Sequence, residues 1–245
     1  MKKIIKKIIP SSLFNIFIKV FTVYKESFLS RNKFFQGNFL KFYSQCDEDF
    51  ILLKKYLNYN NGFFIELGAM DGVKYSNTKF FEDNLQWSGI LIEPTIQYND
   101  LLLNRPNAFN FNYAISKIKG EVEFVGDGNV AGILNSMPMS HSQKWKLNTE
   151  NSYFAPSVPI SDIIDMVSQK MPKRKIEKID FFSIDVEGGE LEVLQTFDWS
   201  IPCFIILIEL DGQNENKDQM CRDLLIEKGY KYEFNISVSE VWKSM

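Results

Sequence analysis

The sequence predicts an α/β domain built around a mostly parallel β-sheet with an antiparallel edge. Short apolar segments bounded by turn residues alternate with longer segments of helical periodicity, an order typical of parallel strands joined by right-handed crossovers. Several apolar segments also run into carboxylates and glycines, at the position where open α/β sheets bind ligands. A chain of 245 residues is long enough to bury the core of one such domain.

The elements follow from composition and periodicity. The predicted strands are residues 62–67, 89–93, 108–116, 178–186, 203–210, 230–237 and 239–244, of which the last two would close the sheet as the antiparallel edge. The predicted helices are residues 46–59, 76–85, 95–104, 188–197 and 216–229. Residues 127–156 fit no periodic template. Because long loops in compact domains are usually functional, we predict that this segment forms a lid over the substrate.

Charge is distributed unevenly along the chain, whose net charge is −3. Residues 1–41 contain nine lysine or arginine residues and one acid, whereas the remainder contains 19 basic and 30 acidic residues. The acidic remainder lacks the positive field that a nucleic-acid partner requires. Three cysteines without a C-x-x-C pair exclude a disulfide framework and a cysteine zinc site, and they indicate a reducing, cytoplasmic location.

The basic segment, residues 1–41, is predicted to be an amphipathic helical extension of a domain that spans residues 42–245. Over residues 2–9, isoleucines fall on one side of a helix and lysines on the other. The apolar run 13–24 is shorter than the ~20 residues that a bilayer span needs. Residues 1–24 therefore either lie on the inner face of a membrane or pack on the protein's own domain, and both alternatives stay open.

A glycine-containing turn follows the first long predicted strand, in the segment from Glu66 to Gly72. Gly68 and Gly72 would let the backbone pass close to a ligand, although such a turn is often only a turn. The glycine spacing differs from the dinucleotide motif G-x-G-x-x-G. This difference argues against the competing interpretation, a nicotinamide-dependent oxidoreductase.

Carboxylates end the other apolar strands. Glu93 suits the two hydroxyls of a ribose, and the alternative is a solvated strand end. Asp185 and Glu187 are separated by one residue at the end of an apolar strand, so they lie on the same face of it. Crowded acids in a crevice suit a general base or a divalent cation. The alternative for these acids is a helix N-terminus, where negative charge complements the macrodipole. Glu209 ends the following strand.

Taken in order, four blocks of this sequence resemble the FkbM family of methyltransferases over roughly residues 43–235. The blocks are YSQCDEDFIL, FFIELGAMDGVKYSNTKFFE, GILIEP and KIDFFSIDVEGGELEVL. The resemblance implies a Rossmann-like class I methyltransferase fold with a seven-stranded sheet, and it implies S-adenosyl-L-methionine as the cofactor. The cofactor-binding residues that it implies are Glu66, Gly68, Ala69, Asp71, Gly72, Glu93, Ala114 and Asp185.

Methyl transfer to a hydroxyl requires that the attacking oxygen lose its proton. We predict Asp185 as the general base and Glu187 as the second catalytic residue. Glu209 and His141, the only histidine, are the predicted substrate residues, although a loop histidine is more often incidental. A divalent cation held by the acids is an alternative that we do not predict, so no metal ligand is assigned.

The resemblance also bears on the substrate, because members of the family often methylate hydroxyls in polysaccharide, glycolipid and natural-product pathways. We therefore predict an O-methyltransferase that acts on a glycan or lipid-linked sugar, held at the inner membrane face by residues 1–24. The alternatives are a methyltransferase of small metabolites or proteins and a binding module without catalysis.

Overall fold

The structure is a computed structural model that describes residues 32–126, 130–137, 139–170 and 176–245. Contacts divide the chain into two compact units, residues 1–42 and 43–245. In the first unit, β1 (Asn32–Phe35) and β2 (Asn38–Lys41) pair as an antiparallel hairpin. This part of the predicted helical extension is therefore β-structure, because the chain reverses at Gln36 and Gly37, which both have positive φ. The helices and membrane contact predicted for residues 1–24 lie outside the described residues.

The second unit contains eleven strands and seven α-helices among the described residues, which are numbered here in chain order. The strands are β3 (Phe63–Leu67), β4 (Ser88–Ile92), β5 (Phe109–Phe111), β6 (Ala114–Ile115), β7 (Gly120–Val125), β8 (Gly132–Ile133), β9 (Tyr153–Val158), β10 (Ile179–Ile184), β11 (Cys203–Glu209), β12 (Tyr230–Ile236) and β13 (Ser239–Ser244). The helices are α1 (Glu48–Lys55), α2 (Lys79–Leu85), α3 (Tyr98–Asn104), α4 (Met139–Lys144), α5 (Ile160–Lys170), α6 (Glu190–Thr196) and α7 (Glu215–Glu227).

The seven-stranded sheet has the strand order β12-β13-β11-β10-β3-β4-β5. Its five central and flanking strands β11, β10, β3, β4 and β5 are parallel, and β13 pairs antiparallel with both β11 and β12. This arrangement confirms the predicted class I methyltransferase fold, with its mostly parallel seven-stranded sheet and antiparallel edge. Between β3 and β10 the strand order reverses, which is where open α/β sheets bind their ligands.

The composition of the central strands explains their place in the sheet. All six residues of β10 are buried, as are four of the five residues of both β3 and β4. Strands that are covered on both faces must be apolar throughout, since helices pack on each side of a parallel sheet. On one face, Ile65 and Phe182 belong to a core that includes Ile163 of α5 and Val193 of α6.

A second, four-stranded sheet has the order β6-β9-β7-β8. It corrects two sequence predictions. The single strand predicted at 108–116 is divided between the two sheets, because the chain turns at Asn112, whose side-chain amide donates to the Glu93 carbonyl at 2.8 Å. The segment 127–156 is also more regular than predicted, since it contains β8, α4 and the start of β9, all too short to show a period.

The register of the large sheet brings the carboxyl ends of its parallel strands to one edge. Leu67 at the end of β3 lies beside Ile92 of β4 on one side and beside Ile184 of β10 on the other. The residues that follow these strands are therefore neighbours in space. None of the helices in the described part of the chain is long and apolar enough to cross a bilayer.

Candidate active site

Gly68 and Asp185 meet at the point where the strand order reverses. A Cβ atom on Gly68 would lie 2.1 Å from the Asp185 carbonyl oxygen, and the Gly68 φ angle is +71°. A side chain is therefore excluded here both by space and by backbone conformation. This close approach brings the turn after β3 against the turn after β10, and a cavity opens on each side of the junction.

The apolar cavity, of about 620 Å³, lies on the β4 side of this junction. Its walls are mostly hydrophobic and come from both sheets, with Ile92 from the large sheet and Ile115, Phe124 and Ile133 from the small one. Ala114, at the start of β6, also lines it. An apolar cleft lined in this way suits a flat aromatic base.

Glu93 is a buried polar group on the wall of the apolar cavity. Only 2% of its surface is exposed. One carboxylate oxygen accepts a hydrogen bond from the Met70 backbone N–H at 2.8 Å, and the other accepts from the Thr95 N–H at 2.8 Å. Since a carboxylate oxygen can accept more than one hydrogen bond, both oxygens are held in place for a pair of ligand hydroxyls.

The acidic cavity, of about 1270 Å³, lies on the β11 side and shares its border with the apolar cavity at Leu67, Gly68, Met70, Asp185 and Glu187. The carboxylates on its walls are Glu48, Glu66, Asp185, Glu187, Glu209 and Asp211. Neutral polar side chains such as Asn77 and Gln213 complete the lining. No lysine, arginine or histidine occurs among the described residues that line it.

Asp185 and Glu209 form a hydrogen-bonded carboxyl pair between the two cavities. Burial, together with repulsion from Glu209, Glu187 and Glu190, raises the pKa of Asp185. Burial and the neighbouring Glu190 and Asp211 also raise the pKa of Glu209, to about 7. Two crowded carboxyls cannot both ionise readily, so the pair keeps a proton at a higher pH than an isolated carboxyl would. A pair in this state can accept a second proton.

A model described as the methyltransferase FkbM domain matches residues 66–232, which is more than half of the chain. The chain belongs to the FkbM methyltransferase family. Methyltransferases of this family use S-adenosylmethionine. The matched region includes the residues from Glu66 to Glu209 that follow the strands and line the two cavities. No curated protein matches the sequence.

Two solved structures are similar to this chain at low identity. The pyocyanin biosynthetic protein PhzM shares 9% identity with a TM-score of 0.38, over 81% of this chain and 55% of its own length. Precorrin-6y C5,15-methyltransferase from Geobacter metallireducens shares 10% identity with a TM-score of 0.35, over 79% of this chain and 84% of its own length. This chain thus spans about half the length of PhzM. At these scores neither protein bears on the substrate of this one.

The residues present fit S-adenosylmethionine. The apolar cavity offers Ala114 and Ile115 to an adenine ring, and Glu93 offers two fixed acceptors to a ribose. Gly68 and Asp185 lie where the two cavities join, so a ligand that extends from the apolar cavity past Gly68 reaches the acidic cavity. Of the predicted cofactor residues, the structure brings Gly68, Glu93, Ala114 and Asp185 together around the apolar cavity.

Glu66 occupies a supporting position in the structure. It lines the acidic cavity but is only 3% exposed, and its oxygens accept hydrogen bonds from Ser76 Oγ at 2.9 Å, from the Asn77 N–H at 2.7 Å and from Thr78 Oγ1. Burial raises the pKa of Glu66, while the Arg105 guanidinium 3.9 Å away and these hydrogen bonds oppose the rise. Glu66 therefore fixes the loop that follows the glycine turn.

Ala69, Asp71 and Gly72, which were also predicted to bind the cofactor, line neither cavity. The Asp71 carboxylate closes a local turn by accepting from the backbone N–H groups of Val73 at 2.9 Å and Lys74 at 2.7 Å. A Cβ atom on Gly72 would lie 2.6 Å from the Arg105 side chain. These three residues thus lie behind the cavities, in the turn that supports them.

The residues predicted to act on the methyl acceptor lie in different parts of the structure. Glu209 lines the acidic cavity beside Asp185, and Glu187 lies on the border of both cavities with a positive φ of 51° that turns it away from the strand direction. His141 belongs to the backbone of α4, and its side chain lies outside the described residues. Of the segment predicted as a lid, Trp145 lines the acidic cavity, and Ala131 and Ile133 line the apolar one.

Two residues of the site were missed by sequence reasoning, Arg105 and Asn77. Arg105 is fully buried, pairs with Glu82, and donates to the Gly72 carbonyl at 3.0 Å and to Thr78 Oγ1 at 3.1 Å. The run Ser76-Asn77-Thr78 directly after the glycine turn was the available signal, because three polar residues in a row before a buried helix need partners.

Side chains of the types that bind metals are common at this edge of the sheet. Among the described residues, however, no group of three or more histidine, cysteine, aspartate or glutamate side chains is arranged to hold a metal ion. The acids instead hydrogen-bond to one another, to backbone N–H groups or to Lys217, which lies 2.5 Å from Glu190.

Proposed function

We propose that this methyltransferase transfers the methyl group of S-adenosylmethionine to a hydroxyl of an uncharged sugar unit during polysaccharide or glycolipid assembly. The observation that carries the proposal is the Asp185–Glu209 carboxyl pair, which lies where the apolar cavity opens into the acidic cavity. A group that can accept a proton thus lies between the space suited to the cofactor and a polar space large enough for a sugar.

The residues that would hold the cofactor are Gly68, Glu93, Ala114 and Asp185. When bound, the cofactor supplies an electrophilic methyl group on a sulfonium with a good leaving group. The protein's own contribution is alignment and the exclusion of water from the junction. Met70 contributes to this exclusion, because it lies on the border of both cavities and only 7% of it is exposed.

Asp185 takes the proton from the acceptor hydroxyl in this proposal. Its pKa is raised above the ordinary range of carboxyl groups, as a proton acceptor requires, and the hydrogen bond to Glu209 keeps the carboxyl pair oriented. Glu187 contributes charge, since it is one of the residues that raise the pKa of Asp185. General-base help of this kind typically accelerates a reaction about 10²–10⁴-fold.

The character of the acidic cavity supports an uncharged acceptor. Six carboxylates without a described basic side chain on the walls repel a phosphorylated or carboxylated group from the reacting centre. Carboxylates and side-chain amides are good partners for the hydroxyls of a sugar, and Trp145 offers an aromatic surface on which a sugar ring can stack. Membrane attachment through residues 1–24 belongs to the same proposal and rests on their basic, amphipathic sequence.

The test is methyl transfer by the full-length protein from S-adenosylmethionine carrying a labelled methyl group. Candidate acceptors are neutral glycans and their lipid-linked forms, with matched uronic-acid and phosphorylated glycans for comparison. We expect label in an alkali-stable methyl ether of a neutral sugar. Label in protein side chains or in small metabolites would refute the sugar assignment, and preferred labelling of anionic glycans would refute the argument from charge.

A further inference from the structure

The carboxylate of Asp49 holds the chain segment that leads into α1. Asp49 is completely buried. One of its oxygens accepts hydrogen bonds from the Tyr43 N–H at 2.7 Å and the Ser44 N–H at 3.3 Å, and the other accepts from Ser44 Oγ at 2.6 Å. Because a buried carboxylate costs free energy unless it is hydrogen-bonded, these bonds fix Asp49 and the segment against each other.

The residues that follow this fixed segment face the acidic cavity. Gln45 and Cys46 are exposed, and they line the cavity together with Glu48, whose carboxylate accepts from the Cys46 N–H at 2.7 Å. None of these three residues lines the apolar cavity. Asp49 therefore holds in place one wall of the space proposed for the acceptor, rather than a wall of the space proposed for the adenosine.

Tyr75 continues this wall. It lines the acidic cavity and pairs with Ser44 through a parallel β-bridge, so the two segments are joined. The φ angle of Tyr75 is 62°, a conformation that bulky side chains rarely adopt and that persists at functional sites where neighbouring contacts hold it. Of the eight other described non-glycine residues with positive φ, three line the same cavity, namely Met70, Glu187 and Ser237. Strained backbone is thus concentrated around the acidic cavity.

Gln45 and Tyr75 offer the chemistry that binds a neutral sugar. The Gln45 amide provides both donors and an acceptor for sugar hydroxyls, and Tyr75 adds an aromatic ring with a phenolic oxygen. These side chains can hold an acceptor by hydrogen bonds and by ring contact without adding charge to a cavity that already contains six carboxylates.

We propose that Gln45 and Tyr75 bind the sugar acceptor, and that Asp49 is the positioning residue that keeps both of them on the cavity wall. The inference rests on the proposed function, which puts the acceptor in the acidic cavity. Asp49 acts through Ser44, since Ser44 donates to its carboxylate and pairs with Tyr75.

Steady-state kinetics of the full-length protein test the two contact residues, with the neutral glycan that is methylated in the labelling assay. Gln45→Ala should raise the KM for that glycan about tenfold, because a hydrogen bond is lost, with kcat within about threefold and binding of S-adenosylhomocysteine within about twofold of the wild type. Tyr75→Asn should show the same pattern, and its melting temperature should stay close to that of the wild type, because asparagine tolerates a positive φ. Gln219→Ala on the exposed face of α7 is the matched control and should change none of these values.

Cys46 provides a measure of acceptor binding that does not depend on turnover. It is exposed, whereas Cys203 and Cys221 are buried, so alkylation by N-ethylmaleimide reports on the cavity wall. The neutral glycan should protect Cys46 of the wild type, and Gln45→Ala should need about tenfold more glycan for the same protection. Asp49→Asn should raise the KM at least as much as Gln45→Ala, and it should speed alkylation in the absence of glycan because the segment is released.

The outcomes separate this inference from the proposed function. If no neutral glycan is methylated, the proposed function is wrong and the inference fails with it. If a neutral glycan is methylated but Gln45→Ala and Tyr75→Asn keep the wild-type KM and protection, the inference alone is wrong. Equal losses of S-adenosylhomocysteine and glycan binding would also overturn it, since the wall would then serve the cofactor or the fold. A lower melting temperature of Asp49→Asn with an unchanged KM would remove Asp49 from the positioning role.

Discussion

The apolar and acidic cavities share a border of five residues but differ in almost every other respect. The apolar cavity takes its walls from hydrophobic side chains of two sheets, with Glu93 as the fixed polar group. The acidic cavity is about twice as large and is lined by six carboxylates. In the proposed function this difference separates two tasks: the apolar cavity would bind the cofactor, and the acidic cavity would hold the groups that move a proton. Substitutions on the two sides should therefore have separable effects on binding and on turnover.

The largest effect on turnover is expected from Asp185→Asn. Loss of the proton acceptor should lower the rate of methyl transfer about 10²–10⁴-fold, measured with the acceptor identified by the labelling assay. Binding of S-adenosylhomocysteine should weaken far less, by about tenfold at most, since the amide keeps the shape of the carboxyl and Gly68, Glu93 and Ala114 still hold the ligand. Asp223→Asn on the exposed face of α7 is the matched control and should leave the rate unchanged. A full-rate Asp185→Asn enzyme would remove Asp185 from the role of base.

The largest effect on stability is expected from Arg105→Met. Arg105 is buried and ties Gly72, Ser76 and Thr78 together, and its removal leaves the buried Glu66 carboxylate without its cationic neighbour. Breaking a buried ion pair from one side costs about 3–5 kcal/mol, so the free energy of unfolding measured by urea titration should fall by that amount.

Arg222→Met provides the comparison for that measurement. Arg222 pairs with Glu240 at 2.8 Å but its side chain is 31% exposed, so its loss should cost about 1 kcal/mol or less. Equal losses in the two variants would show that Arg105 does not support the glycine turn in the way described.

Glu93→Gln tests the binding side of the comparison. The glutamine side chain keeps the shape of glutamate and one of its oxygens. It replaces the other oxygen, which accepts hydrogen bonds, with an NH₂ group that donates them. We expect binding of S-adenosylhomocysteine to weaken about tenfold, with turnover at saturating cofactor within about threefold of the wild type. Paired titration and rate measurements check this. A variant that lost turnover while keeping its affinity would place Glu93 in the chemistry and contradict the division between the cavities.

The smallest effect is the pH dependence that Glu209 introduces. Its pKa of about 7 in the folded protein lies above the ordinary value near 4.5, because burial, Glu190 and Asp211 disfavour the charged form. The folded state therefore holds a proton that the unfolded state has lost, and stability falls as the pH rises from about 4.5 to about 7. Glu209→Gln removes the ionisable group and with it this loss of stability. Above pH 7 the melting temperature of the variant should therefore exceed that of the wild type by a few degrees.

The control for the pH series is Glu227→Gln, whose side chain is 68% exposed beside Lys228. Its melting temperature should follow that of the wild type at every pH. In the wild type, methyl transfer should increase as the pH rises through about 7, since the Asp185–Glu209 pair must release its second proton before it can accept one from the acceptor. A rate that declines over this range would contradict the proton-transfer role of the pair.

Residues adjacent to strand ends could be predicted from the sequence, and residues placed by tertiary packing could not. The positions of Gly68, Glu93, Asp185 and Glu209 follow from apolar runs, because parallel strands deliver their carboxyl ends to one edge. Glu66 and Glu93 both end such strands, and nothing in the sequence distinguishes them. Their difference depends on the hydroxyls after the glycine turn, which occupy Glu66 and leave Glu93 on the cavity wall.

The small sheet shows the same limit in the fold. Its strands β6 and β8 are two residues long, and they form because they pair with β9 and β7 rather than because of their own periodicity. By contrast, α5 has buried residues at Ile160, Ile163, Ile164 and Val167, a helical spacing that could have been recognised in the sequence. Arg105 was unpredictable, since its partners come from distant parts of the chain.

The central claim is that the neighbouring ends of β3, β4 and β10 form the site of an S-adenosyl cofactor. A crystal structure of the full-length protein with S-adenosylhomocysteine tests it most directly. The account predicts the adenine between Ala114 and Ile115 in the apolar cavity, both ribose hydroxyls within hydrogen-bonding distance of Glu93, and the sulfur beside Gly68 and Asp185. Density for the ligand at any other edge of the sheet, or a ribose out of reach of Glu93, would contradict it.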